Sequence, residues 1–200
     1  MFRIIFTVMT VCVLWSCAVD GRHSETAGSG NSVPRRHAYH RIPLPDSTFT
    51  EIAVGPTGLN ISVNTAATCS IRADESGRSR FVDITYPDIN SIIYMTVTPV
   101  DHSTINSVID NRLDRIALNL SGADPELIDF DTPAGFENKL IVTHAGISTP
   151  VQFLSTDGKS LVVSGVAFIK DATPATVDSL APIADILQRD ITHTLKTMHR

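Results

Sequence analysis

The chain has 200 residues, 42% hydrophobic and 18% charged, with 16 Lys and Arg against 21 Asp and Glu. That balance suits one compact domain with a buried core and excludes a disordered chain. A formal net charge of −5 and a pI near 5.7 argue against general nucleic-acid binding, which replaces phosphate counterions with a basic surface. Three cysteines cannot build a disulfide framework, and aromatics at 6% with a single Trp disfavour stacked-base recognition or an aromatic carbohydrate cleft.

Residues 1–16 read as a signal peptide. Arg3 supplies the positive start, and the apolar run Ile4 to Leu14 is too short to cross a bilayer, which takes about 20 residues. Leu14-Trp15-Ser16-Cys17 resembles the bacterial lipobox, in which the cysteine takes a diacylglycerol through a thioether and becomes the first residue. Cys17 is therefore the expected lipid attachment, carrying palmitate-type chains. One chain holds a protein only marginally, but two or three hold it durably, each buried methylene contributing about 0.8 kcal/mol. Residues 17–33 comprise the lipidated cysteine and a flexible tether, since Asp20 to Val33 is small and polar without apolar periodicity. No acidic cluster follows Cys17, which favours an anchor facing the periplasm. Cys69 is expected as a small buried apolar residue.

Residues 34–200 are expected to form a single α+β domain. It opens with the one basic cluster, Pro34 to Arg41, whose Arg35, Arg36, Tyr39 and Arg41 are candidate partner contacts. They could meet phosphate headgroups, an acidic partner or the domain's own acidic surface. His37 and His40 lack the further donors that zinc wants, so neither metal nor other cofactor is expected.

From Ile42 the chain alternates. Phe49 to Val54 and Leu59 to Val63 show apolar–polar period two around the turn Gly55-Pro56-Thr57-Gly58. Cys69 to Ile71 and Phe81 to Tyr86 flank an Asp74-Glu75-Ser76-Gly77 turn, and the β-branched run Ile92 to Val97 predicts a central strand. The period then changes: Ile105, Val108, Ile109, Leu113, Ile116, Ala117 and Leu120 form a helical stripe, with Asp101 or Ser103 as cap and Gly122 and Pro125 as terminators. Strands return at Leu127 to Phe130, Lys139 to Thr143, Val151 to Leu154 and Leu161 to Ile169, the last two joined by the hairpin turn Thr156 to Lys159. Asp129 and Asp131 should share a solvent face. A second amphipathic helix carries Leu180, Ile183, Ala184, Leu187, Ile191, Leu195 and Met198, capped by Asp178 or Ser179 with Pro182 in its first turn.

The order predicts an α+β fold: a largely antiparallel sheet in two meanders with two amphipathic helices packed on one or both faces. It is similar to the small sandwiches of the PsbP/Mog1 type, a likeness that carries no function.

No phosphate loop, nucleophile elbow, His-Glu-x-x-His or Cys-x-x-Cys occurs. His144 lies near Ser148 in sequence, but a triad is assembled in space, and a strand-end histidine is the simpler reading. In whole-chain pattern the sequence resembles the gliding-motility lipoprotein GldD family. The likeness runs through the lipobox, Pro34-Arg35, Tyr39, Arg41-Ile42 and Pro45, then Val82 to Pro87 and Ser91 to Tyr94. It continues in the helix from Asp110 to Ala117, in Thr149-Pro150-Val151-Gln152-Phe153 with Thr156-Asp157, in Ser164 to Phe168 and in Ser179 to Ile183. The chain departs in Ser164, where the family has a basic residue, and in its fewer lysines and aromatics.

The resemblance implies a non-enzymatic envelope lipoprotein, bound to the membrane through its N-terminal lipid. Its partners would be other envelope lipoproteins of the gliding and type IX secretion machinery, which it would assemble or stabilise. Pro150 and Gln152 join the candidate contacts, because a proline without a backbone donor suits an edge or bulge near a partner. Two other readings stay open: a periplasmic module holding a small ligand between sheet and helices, and a hydrolase, which needs a histidine bonded to a nucleophile.

Overall fold

A computed structural model describes residues 44–200 apart from 121, 145–147, 171 and 173–175. The chain opens with a hairpin of β1 (Phe49–Ala53) and β2 (Asn60–Asn64), a two-stranded sheet of its own. Its turn is a 3-10 segment, Gly55–Thr57, in which Pro56 presets φ and the Thr57 hydroxyl donates to the Val54 carbonyl at 2.8 Å. Gly58 closes it at φ 71°, a conformation that a Cβ would oppose.

Then come β3 (Thr68–Ala73), β4 (Arg80–Tyr86), β5 (Ser91–Pro99), helix α1 (Ile105–Asn119), β6 (Glu126–Asp131), β7 (Glu137–Val142), β8 (Val151–Thr156), β9 (Leu161–Ile169) and helix α2 (Val177–Thr197). Strands β3 to β9 form a seven-stranded sheet in the order β3-β4-β5-β9-β8-β7-β6, every neighbour antiparallel. The fold is the expected α+β arrangement. Two meanders meet at the β5–β9 seam, paired from Ser91↔Ile169 to Pro99↔Leu161. The run Ile92 to Val97 is interior to the sheet, as its β-branched composition predicts.

Alternation along each strand divides the side chains between two faces. On the inner face Val82, Ile84, Ile93, Met95, Leu140, Phe153, Val163 and Ala167 pack with Leu59, Ile61 and Val63 of the hairpin and with Ile183, Leu187, Ile191 and Leu195 of α2. On the outer face Ile141, Leu154 and Val162 meet Ile105 and Ile116 of α1 in a smaller cluster. The helices therefore cover opposite faces.

The hairpin is stitched to α2 at several points. Phe49 stacks on His193 with ring centroids 3.7 Å apart, the Thr194 hydroxyl donates to the Ser62 carbonyl at 2.6 Å, and Asn60 and His199 exchange backbone bonds. At the centre lies Asp190, 1% exposed. Its Oδ2 accepts from the Tyr86 hydroxyl and from Asn64 Nδ2, each at 2.9 Å, and its Oδ1 accepts from Arg189 Nε at 2.9 Å. Asn64 Nδ2 also donates to the Asp46 carbonyl at 2.8 Å. A buried carboxylate is tolerated because its oxygens are met by donors.

The two helix starts differ from expectation. Helix α1 is preceded by Thr104, not Asp101 or Ser103, and no side chain caps it; the Thr104 hydroxyl instead donates to the Asp101 carbonyl at 3.0 Å. Helix α2 begins at Val177, after Thr176, so Pro182 is an interior residue rather than a first-turn one. Pro182 is exposed, and its missing N–H removes one hydrogen bond from the helix ladder.

The β8–β9 turn is the hairpin that Asp157-Gly158 predicts. Asp157 Oδ1 accepts from the backbone N–H groups of Lys159, Ser160 and Leu161 at 2.8–2.9 Å, and its Oδ2 meets Arg200 at 3.1 Å. Burial by itself would raise the Asp157 pKa, but these donors outweigh it and hold the carboxyl below its ordinary value. Its contribution to stability is therefore complete above the unfolded-chain value of about 3.9 and disappears as pH falls through the lower folded value. Chemical denaturation of the protein and of Asp157→Asn should show a gap that is constant near neutrality and narrows below about pH 4. A gap independent of pH would contradict the assignment.

Gly165, at the middle of β9, has no room for a side chain: a Cβ there would strike the Phe153 ring and lie 2.5 Å from the Tyr94 carbonyl oxygen. Gly165→Ala should destabilise by about 1–3 kcal/mol in urea unfolding, the usual cost of overpacking. Combined with Phe153→Leu, the loss should be smaller than the sum of the two single losses, because the shorter side chain vacates the clash.

Candidate functional site: the open half of the outer face

Helix α1 packs over β7, β8 and β9 and leaves the outer face of β3, β4 and β5 without a helical cover among the described residues. Alternation inverts the inner set there, so that Phe81, Asp83 and Thr85 of β4 and Ile92, Tyr94 and Thr96 of β5 face outward. Phe81 is 36% exposed and Tyr94 is 42% exposed. Register sets Tyr94 opposite Val166, Ile92 opposite Phe168 and Phe81 opposite Thr96. Ile92, Val166 and Phe168 are half-buried and adjoin Tyr94, while Asp83, directly opposite Tyr94, stands between it and the β4 edge next to Phe81.

The charged residues within this face are paired. Arg72, on the edge strand β3, holds Asp83 at 2.7 Å and lies 5.9 Å from the centre of the Phe81 ring. At the opposite boundary the register runs Val166–Gln152–Ile141, where α1 begins to cover the sheet. Here Asn119 of α1 donates to Gln152 Oε1 at 3.2 Å. The Gln152 Nε2 group and the Thr143 hydroxyl have no hydrogen-bond partner among the described residues.

The candidate contacts fall unevenly. Cys17, Arg35, Arg36, Tyr39 and Arg41 lie outside the described residues. Pro150 is buried and Gln152 is 1% exposed beneath the end of α1, so neither presents a surface to a partner in this conformation. Gln152 does border the open face from below, and it is the exposed Phe81 and Tyr94 that the sequence reading left out. Their alternation with Val82, Ile84, Ile93 and Met95 marks them as outward-facing; the position of α1 decides that they stay uncovered.

Groups with chemical potential are quiet. Cys69 is half-buried on the inner side, and burial first, with the nearby Asp83 charge adding to it, pushes its thiol pKa up, away from a nucleophilic thiolate. Tyr86 is held protonated chiefly by burial and then by the Asp190 charge, as a donor to that carboxylate. His144 is exposed and sits 3.4 Å from Glu126. No group of three or more His, Cys, Asp or Glu among the described residues could hold a metal ion, and no described helix is long and apolar enough to cross a membrane.

Clefts flank the framework. One of about 220 Å³ lies among Leu44, Asp46, Tyr86 and Asp88, and another of about 470 Å³ lies before α1, among Thr57, Arg78, Asp101 and Thr104. A third, of about 360 Å³, runs between α1 and the β6–β7 side of the sheet.

The family model described as gliding motility lipoprotein GldD matches residues 29–199, which includes every described element. No curated protein matches the chain.

Proposed function

The chain belongs to the gliding-motility lipoprotein GldD family, and from that we propose that it is a non-enzymatic interaction module of the cell envelope. In this reading the signal peptide is removed and a lipid on Cys17 anchors the chain. The folded part faces the periplasm and supports assembly or stability of other lipoproteins of the gliding and type IX secretion apparatus.

The observation that supports the reading is the solvent-facing surface around Phe81 and Tyr94. Exposed aromatic side chains on an open sheet face are what a protein contact uses: large rigid area at small entropic cost. The Arg72–Asp83 pair beside both aromatics adds the polar groups that such contacts also carry.

In cells that express the apparatus, the double variant Phe81→Ser/Tyr94→Ser should lower partner-lipoprotein abundance and protein secretion as far as deletion does. Its own unfolding free energy should move by less than about 1 kcal/mol per position, the scale of exposed cross-strand pairs. Partners and secretion at normal levels would overturn the proposal. Separately, Cys17→Ala should abolish incorporation of labelled palmitate and release the chain to the aqueous phase on detergent partitioning; continued labelling would remove Cys17 as the attachment point.

A further inference from the structure

Strand β6 presents a second surface, of different chemistry. From residue 116 to residue 138 the chain has five acidic residues, Asp124, Glu126, Asp129, Asp131 and Glu137, and no Lys or Arg. Among the described residues β6 stands at the end of the sheet order and pairs with β7 alone, so its other rim leaves backbone N–H and C=O groups without a described strand partner. On its outer face are Leu127, Asp129 and Asp131, opposite Ile141, Lys139 and Glu137. Asp129 and Asp131 share a solvent face, as expected.

Lys139 neutralises Asp129 at 3.0 Å. Asp131 then lies directly opposite Glu137, and no described residue forms an ion pair with either. Like charges facing each other across antiparallel strands are destabilising. Both line the 360 Å³ cleft, whose apolar side is Ile109 and Leu154. At the other end of the strand Leu127 is 68% exposed, and Leu118 of α1 is 79% exposed. The Asn119–Gln152 bond and the row Gln152–Ile141–Leu127 bring the two leucines to one level of the sheet. Acidic residues alone would serve to keep an edge strand from self-association; an edge that also exposes leucine and stores an uncompensated charge pair is complementary to something.

We propose that the β6 edge receives an extended segment of a partner protein, with Lys or Arg at alternate positions beside Asp129 and Asp131, the latter level with Glu137 of β7, and an apolar residue beside Leu127. The added strand supplies the missing backbone partners and its cations relieve the Asp131–Glu137 repulsion. A second copy of this chain is a poor occupant, because antiparallel β6–β6 pairing about Asp129 sets Asp129 against Asp129, places each Asp131 opposite Leu127 and brings no cation to the Asp131–Glu137 pair. The inference rests on the interaction-module reading and names the chemistry of one partner.

The test uses the full chain in detergent micelles and a fluorescent peptide, acetyl-Thr-Lys-Thr-Lys-Thr-Val-Thr-amide. Compared with it are a scrambled peptide of equal composition and a version N-methylated on the alternate residues that would bond β6. The designed peptide should bind at least about tenfold more tightly than either control. Asp131→Asn/Glu137→Gln should weaken it about tenfold while leaving the thermal midpoint equal or higher, since a repulsion is removed. Equal binding of the scrambled peptide, indifference to N-methylation or full affinity in the double variant would each overturn the proposal. Self-association through β6 would appear instead as a concentration-dependent mass in sedimentation that the double variant strengthens, and would likewise overturn it. A failure here with Phe81→Ser/Tyr94→Ser still depleting partner lipoproteins removes this surface alone; loss of that cellular effect removes the interaction-module reading itself.

Discussion

The buried carboxylate of Asp190 is the constraint on which the arrangement of layers depends. It sits on α2, yet its partners come from β2 through Asn64 and from β4 through Tyr86, and Asn64 extends the network to the Asp46 carbonyl. Apolar packing between a helix and two sheets is non-directional and tolerates sliding. A buried charge does not: displaced by an ångström it loses its donors and keeps its desolvation cost, so the helix, the hairpin and the main sheet take one mutual position. The Arg189 guanidinium, reaching in from solvent on the adjacent residue, supplies the balancing charge.

Around that anchor the two sheet faces carry unequal loads. The inner face is filled by the hairpin and a 21-residue helix and holds most of the core. The outer face is covered by a 15-residue helix of which only Ile105 and Ile116 are fully buried. Stability is thereby concentrated on one side, leaving the other free to expose aromatic residues at the β4–β5 half and acidic ones at the β6 edge. The two proposed contact surfaces lie on either side of α1, linked beneath it by the cross-strand row Tyr94–Val166–Gln152–Ile141–Leu127.

Much of the fold is legible in the residues. Period-two alternation locates every strand to within a few positions, because one face of each strand is apolar. The 3.6-residue stripe marks both helices, and Asp157-Gly158 marks the hairpin. Less legible is anything set by long-range placement. The separation of β1 and β2 as their own sheet depends on α2 and the residues that follow it: Thr194 in the helix and His199 just beyond it engage β2 from more than 130 positions away. Helix starts were misplaced because Thr104 and Thr176 precede the helices without side-chain caps, so the usual signal is absent. Gln152 and Pro150 look like surface residues by type, yet both are buried, Gln152 beneath Asn119 of α1. Phe81 and Tyr94 can be assigned to the outward face from sequence, but not their exposure, which is decided by where a helix stops covering the sheet.

The β5–β9 seam has a consequence for the order in which the molecule can form. Strands β3, β4 and β5 are contiguous and joined by short turns, so they can associate early, yet the strand that completes them is about 70 residues further along. The first hairpin waits longer still, for a helix at the far end of the sequence. A chain emerging from its N-terminus thus holds an unfinished sheet with a raw edge until nearly all of it has appeared, and closure of that edge is a late, non-local event. Any chaperone that attends this protein would find its target in the exposed rim of β5.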